Sequence, residues 1–416
     1  MSIRDTLVLL LAGLMAVQPD AALAQTLTLQ QALSRSLNSH PLLRAEAAAT
    51  NATERQASLD GLAPPLFVGA DLENIAGTGA FSGTDSAEAS LRLGKVFELG
   101  GKRDARQQLG SSAIELQRNV FEKRRLDVIL EIKRRFIKVM ADQEKLVMAD
   151  KELALATEVQ KTVAYRVSRG RDTKADLAMA QLAVERANLA KEDASHELDS
   201  SKVALSVMWG ERSPLFEKVS GDLNQLPKVD GLDALAARLD QSVNAKSFSL
   251  ENNHLDAQRR LAVASGKPDV TASIGIRRLE SFDAQALLLS VTLPIGLSGR
   301  SALNLSKNDA EQERLAARKE AADIESFQQL YAKFRALDHA RHEIEKLRES
   351  MIPSAEEALS DIRRGYEDGR YSFLQVAEGR RVLFALQTQH VDATARYHTL
   401  FAEIERLTDT TSEINP

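Results

Sequence analysis

The stretch Leu91-Arg-Leu-Gly-Lys-Val-Phe97-Glu-Leu-Gly-Gly101-Lys102 decides the reading of this chain, because its pattern returns 198 residues later in Leu289-Ser-Val-Thr-Leu-Pro-Ile295-Gly-Leu-Ser-Gly299-Arg300. Leu91, Leu93, Phe97, Leu99, Gly101 and Lys102 are answered by Leu289, Val291, Ile295, Leu297, Gly299 and Arg300. A second match, 199 residues apart, joins Tyr165-Arg-Val-Ser-Arg-Gly170-Arg171 to Arg364-Gly-Tyr-Glu-Asp-Gly369-Arg370. A unit of about 200 residues is far too long for a solenoid repeat. It predicts two similar halves, 25–231 and 232–416, of one elongated body. Each half runs as short helix, two alternating segments, a very long polar helix, a glycine turn and a returning helix.

The alternating segments lie just ahead of the glycine junctions Gly101-Lys102 and Gly299-Arg300. In the first copy Leu66, Val68, Ala70 and Leu72 alternate with Phe67, Gly69, Asp71 and Glu73, and Ala89, Leu91 and Leu93 with Glu88, Ser90 and Arg92. In the second, Ala272, Ile274 and Ile276 alternate with Ser273, Gly275 and Arg277, and Leu287, Leu289 and Val291 with Leu288, Ser290 and Thr292. Runs of about ten residues with this period suit tilted transmembrane strands, one face to lipid and one to water. On that reading Leu91, Leu93, Leu289 and Val291 face lipid, while Arg92 and Ser290 face a lumen. Four strands cannot close a barrel, since the smallest membrane barrels have about eight. An open edge in hydrocarbon leaves backbone groups unpaired at several kcal/mol each. Three copies would supply twelve strands.

From 102 to about 167 there is no proline and one glycine, Gly110. Leu109, Leu116, Val120, Ile129, Ile132, Phe136, Val139, Leu146, Leu153 and Val163 recur at spacings that place many of them on one stripe, a coiled-coil seam. About 65 residues at 1.5 Å each make a rod of roughly 100 Å. The second rod, from 300 to about 366, repeats the stripe at Ile324, Phe327, Tyr331, Phe334, Leu337, Ile344 and Met351, with Pro353 predicting a kink. Gly170 and Gly369 end the rods, and return helices follow over about 173–209 and 372–407. Between the halves, 210–231 carries Pro214, Gly221 and Pro227 and reads as a connector packed outside the helices.

Composition agrees with rods on narrow seams: aromatic residues are 5% and charged residues 27%, too few and too many for a thick core. The 54 basic and 59 acidic residues are interspersed, giving a net charge of −5 and no basic block, which argues against a nucleic-acid partner. Arg4, the apolar run from Leu7 to Val17 and Ala22-Leu-Ala24 form a leader over 1–24, so the mature chain is expected to begin near Gln25, outside the cytoplasm. With no cysteine, neither a disulfide nor lipidation of a mature N-terminal cysteine is available.

Over the whole mature chain these residues resemble the TolC-like outer-membrane efflux proteins. The segment Phe97-Glu-Leu-Gly-Gly101-Lys-Arg103 is most similar to the outer-membrane factors of cobalt-zinc-cadmium and copper-silver resistance systems. His40-Pro41, the Gly369-Arg-Tyr-Ser-Phe-Leu374 turn and the ending from Tyr397 through Glu403-Ile-Glu-Arg-Leu407-Thr408 add to the resemblance. It implies a homotrimer with a twelve-strand β-barrel in outer-membrane lipid and an α-helical barrel in the periplasm. That conduit would dock a periplasmic adaptor and a proton-driven inner-membrane pump of the RND type, and carry heavy-metal cations out. The turns Arg169, Gly170, Arg171 and Asp368, Gly369, Arg370 would meet the adaptor. By position, Asp176 and Tyr366 match a bonding network that closes the periplasmic mouth, and Gln375 and Glu378 match two pore-lining aspartates of the family. Only Glu378 keeps a carboxylate, which implies a single ring of three. The alternative for Asp176 and Glu378 is a solvated helix cap or face.

Chemistry of other kinds is sparse. His339 and His342 share a helical face near Glu343 but read as a solvated face, and Met140 and Met148 read as packing. No phosphate-binding glycine loop or nucleophile–His–acid set occurs, so no enzyme and no cofactor is expected. Two other functions stay open: a TolC-like duct for drug efflux or type I protein secretion, and a periplasmic coiled-coil adaptor or scaffold.

Overall fold

A computed structural model describes residues 26–409; the leader expected over 1–24 lies outside the described residues. In chain order the elements are β1 (Thr26–Leu27), α1 (Leu29–Ser39), α2 (Pro41–Asp60), β2 (Leu66–Glu73), β3 (Glu88–Phe97), α3 (Lys102–Ser168), α4 (Lys174–Ser206), β4 (Lys218–Val219), α5 (Leu232–Leu239), α6 (Val243–Ser265), β5 (Val270–Leu279), β6 (Ala284–Thr292), α7 (Ser298–Lys346), α8 (Ile352–Glu367) and α9 (Phe373–Thr408). Among the described residues no helix is long and apolar enough to cross a membrane.

The 67 residues of α3 form one unbroken helix, roughly 100 Å long at 1.5 Å per residue. Its single glycine is a packing site: a Cβ at Gly110 would lie 2.6 Å from Ala57 Cβ, so the glycine lets α2 approach α3 closely. Ile132, Phe136 and Val139 are buried against α1, α4 and the connector, and Ile129 against α1 and the start of α6, whereas Val120 of the expected stripe is exposed. The second stripe divides. Leu337 and Ile344, joined by Leu330 at the same seven-residue spacing, bury against α5 and α9, while Ile324, Phe327 and Tyr331 of α7 and Met351 beyond its end stay exposed. A rod has more than one neighbour, and periodicity alone does not say which row faces its own chain.

Pro353 does not break the helix. A five-residue π turn, Leu347–Met351, precedes it and α8 continues at once. Proline has no N–H to donate and its ring presses on the carbonyl four residues back, so widening the turn relieves both.

Four strands make one antiparallel sheet in the order β2-β3-β5-β6. The register aligns Val68, Leu93, Ile274 and Leu289 in one row and Ala70, Leu91, Ile276 and Leu287 in the next. These side chains stand exposed, Leu289 at 75%. The opposite face is ionic: Arg277 donates to Glu88 at 2.6 Å, Glu73 at 3.0 Å and Ser90 at 2.9 Å, and Arg92 bonds Asp71. Arg92 and Ser290 thus lie opposite the leucine rows, as the alternation predicts. The outer edges of β2 and β6 have no partner strand among the described residues.

The two junctions differ. Gly100 and Gly101 take φ of +82° and +74°, and Lys102 opens α3 with its Nζ 2.6 Å from Asp269. In the second half Gly299 and Arg300 already lie inside α7, and the left-handed glycine is Gly296 at φ +84°. The left-handed turn of the second junction is thus at Gly296, and Gly299-Arg300 follow it in the first turn of α7. The connector does pack on the helices: β4 pairs in parallel with β1, Phe216 lies 6.3 Å from Trp209, and Gln143 bonds both the N–H and the carbonyl of Val219. Strands of two residues are too short to show as alternation.

Candidate functional site

The ends of α3 and α8 share one construction. Gly170 N–H donates to Val167 O and Arg171 N–H to Arg166 O; equivalently, Gly369 N–H donates to Tyr366 O and Arg370 N–H to Gly365 O. Both are Schellman closures, which need a left-handed residue, and Gly170 and Gly369 supply it at φ +69° and +79°. Each turn leads into a capping box. Thr173 and Asp176 cap α4, and Ser372 and Gln375 cap α9. Asp176 and Gln375 are thus the third helical residues of equivalent caps, 199 positions apart.

Between the turns sits a buried polar clasp. Arg166 Nε donates to Asp172 Oδ2 at 2.9 Å, its Nη1 donates to Glu367 O at 3.1 Å, and the Tyr366 hydroxyl donates to the same Asp172 oxygen. The guanidinium lies 4.5 Å from the centre of the Tyr366 ring. Tyr366 is 3% exposed and packs with Val159, Val163, Phe373 and Val376. Burial, the hydrogen bond to Asp172 and its charge push the tyrosine hydroxyl far above its ordinary value, so it stays a donor at any physiological pH. The clasp ties α3 and the turn after it to α8. In the second half Gly365 and Tyr371 occupy the positions of Arg166 and Asp172, and the Tyr371 ring packs directly on Gly365. One copy is ionic and the other aromatic.

The expected pairing of Tyr366 with Asp176 is corrected: the carboxylate is Asp172. Asp176 Oδ2 accepts from Thr173 N–H at 3.0 Å and from Thr173 Oγ1 at 2.6 Å, which lowers its pKa and ties it to its own helix start; its charge acts on Tyr366 only at a distance. Arg166 and Asp172 were not singled out from sequence, although a basic residue in a last helical turn and an aspartate two past its glycine were visible signals. Gln375 accepts from Ser372 N–H at 2.9 Å. Glu378 is exposed and held by Arg381 through two bonds, 2.9 and 2.6 Å, which lower its carboxyl pKa. Glu378 is therefore paired within its own helix and is not a bare carboxylate. Among the turn residues, Asp368 bonds Arg370, while Arg169 lies 5.4 Å over the exposed Tyr165 ring. His342 Nδ1 lies 2.8 Å from Asp338 O, and no group of three His, Cys, Asp or Glu residues among the described residues is placed to hold a metal ion.

The sequence profile described as "Outer membrane efflux protein" matches residues 32–211 and 239–409. The cobalt-zinc-cadmium resistance protein CzcC of Cupriavidus metallidurans is 25% identical over 389 residues, covering 92% of this chain and 90% of that protein. The nickel-cobalt-cadmium resistance protein NccC of Alcaligenes xylosoxydans xylosoxydans is 24% identical over 312 residues, 74% of this chain and 68% of that protein. Among solved structures, CusC superposes with a TM-score of 0.78 at 16% identity over 91% of both chains. The outer membrane protein VceC of Vibrio cholerae gives 0.73 at 16% identity, covering 91% of this chain and 95% of that one. The fold is the one these channels share, and the family profile spans both halves. The chain belongs to the outer membrane efflux protein family.

Proposed function

We propose that three copies of this chain form the passive exit duct of a tripartite heavy-metal efflux system, with an inner-membrane RND pump and a periplasmic adaptor as partners. The observation that carries the assembly is the four-stranded sheet with two open edges and an exposed apolar face. Backbone groups at such edges must pair inside hydrocarbon, and β6 of one copy against β2 of the next closes twelve strands. The ionic face of Arg92 and Arg277 then lines the lumen, and Leu91, Leu93, Leu289 and Val291 meet lipid. The exposed row Ile324, Phe327 and Tyr331 on α7 packs against a neighbouring protomer in the helical barrel. The halves 25–231 and 232–416 act as two structural repeats, giving each protomer two coiled hairpins. Cargo of cobalt, zinc, cadmium or nickel class is supported by the printed functions of the relatives.

Within this reading the turns at Arg169, Gly170, Arg171 and Asp368, Gly369, Arg370 dock the adaptor. The Arg166–Asp172–Tyr366 clasp holds the periplasmic mouth, Asp176 and Gln375 start the helices below it, and Glu378 with Arg381 lines the entrance. The test is a deletion strain challenged with a panel of divalent metals and drugs, beside the size of the purified protein in mild detergent. Sensitisation to metals and a trimer are expected. A monomer refutes the assembly, and sensitisation to drugs alone refutes the cargo.

A further inference from the structure

The apolar face of the sheet is bracketed by two cations that are treated differently. At the hairpin-loop end of β5, Arg278 is bonded by Glu280 and Asp283. At the helix end of β3, Lys95 shares the row of Leu66 and Ala272, directly after Leu91 and Leu93 on the same face. It is exposed, has no carboxylate partner among the described residues, and its Nζ lies 5.5 Å from the centre of the Phe97 ring. Below it Asp269 is claimed by Lys102 and by Leu99 N–H, and Glu98 by two bonds from Arg106, while Asp104 in the first turn of α3 is an exposed carboxylate further along the helix. Lys267, whose stem lies against Gly100, and Arg300 in the first turn of α7 are exposed and make no ion pair among the described residues. Leu62, Leu99 and Ile295 stand out from the same level, Ile295 at 90% exposure.

From this we infer that the junction of sheet and helices is a collar that binds the anionic headgroups of phospholipid in the periplasmic leaflet of the outer membrane. The inference rests on the barrel reading above. An aromatic ring beside a long basic side chain, at the end of a lipid-facing strand, suits the headgroup zone: the ring and the aliphatic stem stay in the boundary layer and the charge reaches phosphate. The apolar strand face continues into Leu62, Leu99 and Ile295, so the surface has no break where the acyl chains end. Free cations at this rim and a neutralised cation at the other assign the anion to the periplasmic side. A basic residue near an anionic bilayer surface strengthens attraction about fivefold, so Lys95, Lys267 and Arg300 together give a strong local preference.

The test reconstitutes the full-length protein in nanodiscs of phosphatidylcholine alone, with phosphatidylglycerol, or with lipopolysaccharide, and measures thermal unfolding of the oligomer and bound lipid by native mass spectrometry. The parent is expected to retain phosphatidylglycerol and to melt higher in its presence. Lys95→Gln with Lys267→Gln and Arg300→Gln should melt like the parent in phosphatidylcholine and lose that rise, and Lys95→Arg should keep it. If the triple variant fails to fold, Lys95→Gln alone should cut retained phosphatidylglycerol about fivefold. An unchanged phosphatidylglycerol response in the variants, no response in the parent, or a response to lipopolysaccharide alone overturns the inference. Single-channel conductance of the same preparations separates the two readings: channels without lipid dependence sink only the collar, and no channels at all sink the duct.

Discussion

Replacing Asp172 by alanine tests the clasp most directly. Arg166 and Asp172 are each about one-tenth exposed at the side chain, 10% and 10%, so the pair is only weakly screened by water. Removing one partner of a buried ion pair costs about 3–5 kcal/mol when the other charge is stranded. Here Arg166 keeps its bond to Glu367 O and its place over the Tyr366 ring, which lowers the expected cost to about 2–3 kcal/mol. Tyr366→Phe removes one charge-assisted hydrogen bond and leaves Asp172 bonded to Arg166, so it should cost about 1.5 kcal/mol. Asp176→Ala removes a helix cap and should cost about 1 kcal/mol. The assay is native-state hydrogen exchange of the Gly170, Arg171, Gly369 and Arg370 amides, all held by the Schellman closures. At about tenfold per 1.4 kcal/mol, local opening should speed up about 30-fold or more for Asp172→Ala and roughly tenfold for Tyr366→Phe. The double mutant should fall short of additivity, because both bonds end on one oxygen. In planar bilayers the open fraction should follow the same order. A larger effect at Asp176 than at Asp172, or no effect at either, refutes the clasp.

Three further outcomes follow from named groups. Leu289→Lys should cost about 2–4 kcal/mol of barrel stability in vesicle-based urea titrations, against little for Ser290→Lys on the opposite face, and equal tolerance would reject the assignment of faces. Because Glu378 carries Arg381, Arg381→Gln should raise cation selectivity in reversal-potential measurements and Glu378→Gln should lower it; no change in either removes the pair from the pore. His40, His254 and His390 are all held below their ordinary pKa, chiefly by burial. The folded state therefore refuses protons that the unfolded chain takes up below its pKa of about 6.5, so stability should fall as pH drops through that value by up to about 1.4 kcal/mol per pH unit for each histidine. His254→Gln should flatten the slope in denaturant melts at pH 7.5 and 5.5, and a slope unchanged in the variant would show that His254 is not a contributor.

Local rules in the chain were enough for the order of the long elements, the four sheet strands and their two faces, the unbroken first rod and the glycine ends, but not for β1, β4 or the paired short helices of each half. Period-two alternation selects a sheet face, absence of proline lets a helix run, and a left-handed position wants glycine. The capping boxes of Thr173 with Asp176 and Ser372 with Gln375 came from the structure, where family position had pointed Asp176 and Gln375 to other roles. Tertiary structure decided what lies across the seams. It chose Leu330 over Tyr331 for the inner face of α7, and it brought Asp172 to a tyrosine 194 residues away. It also put the left-handed turn of the second junction at Gly296 and absorbed Pro353 in a π turn. A carboxylate near a turn can cap its own helix or reach another, and the two choices differ by only about one hydrogen bond. Periodicity is blind to that choice, because it is settled by which side chains the packed helices bring within reach.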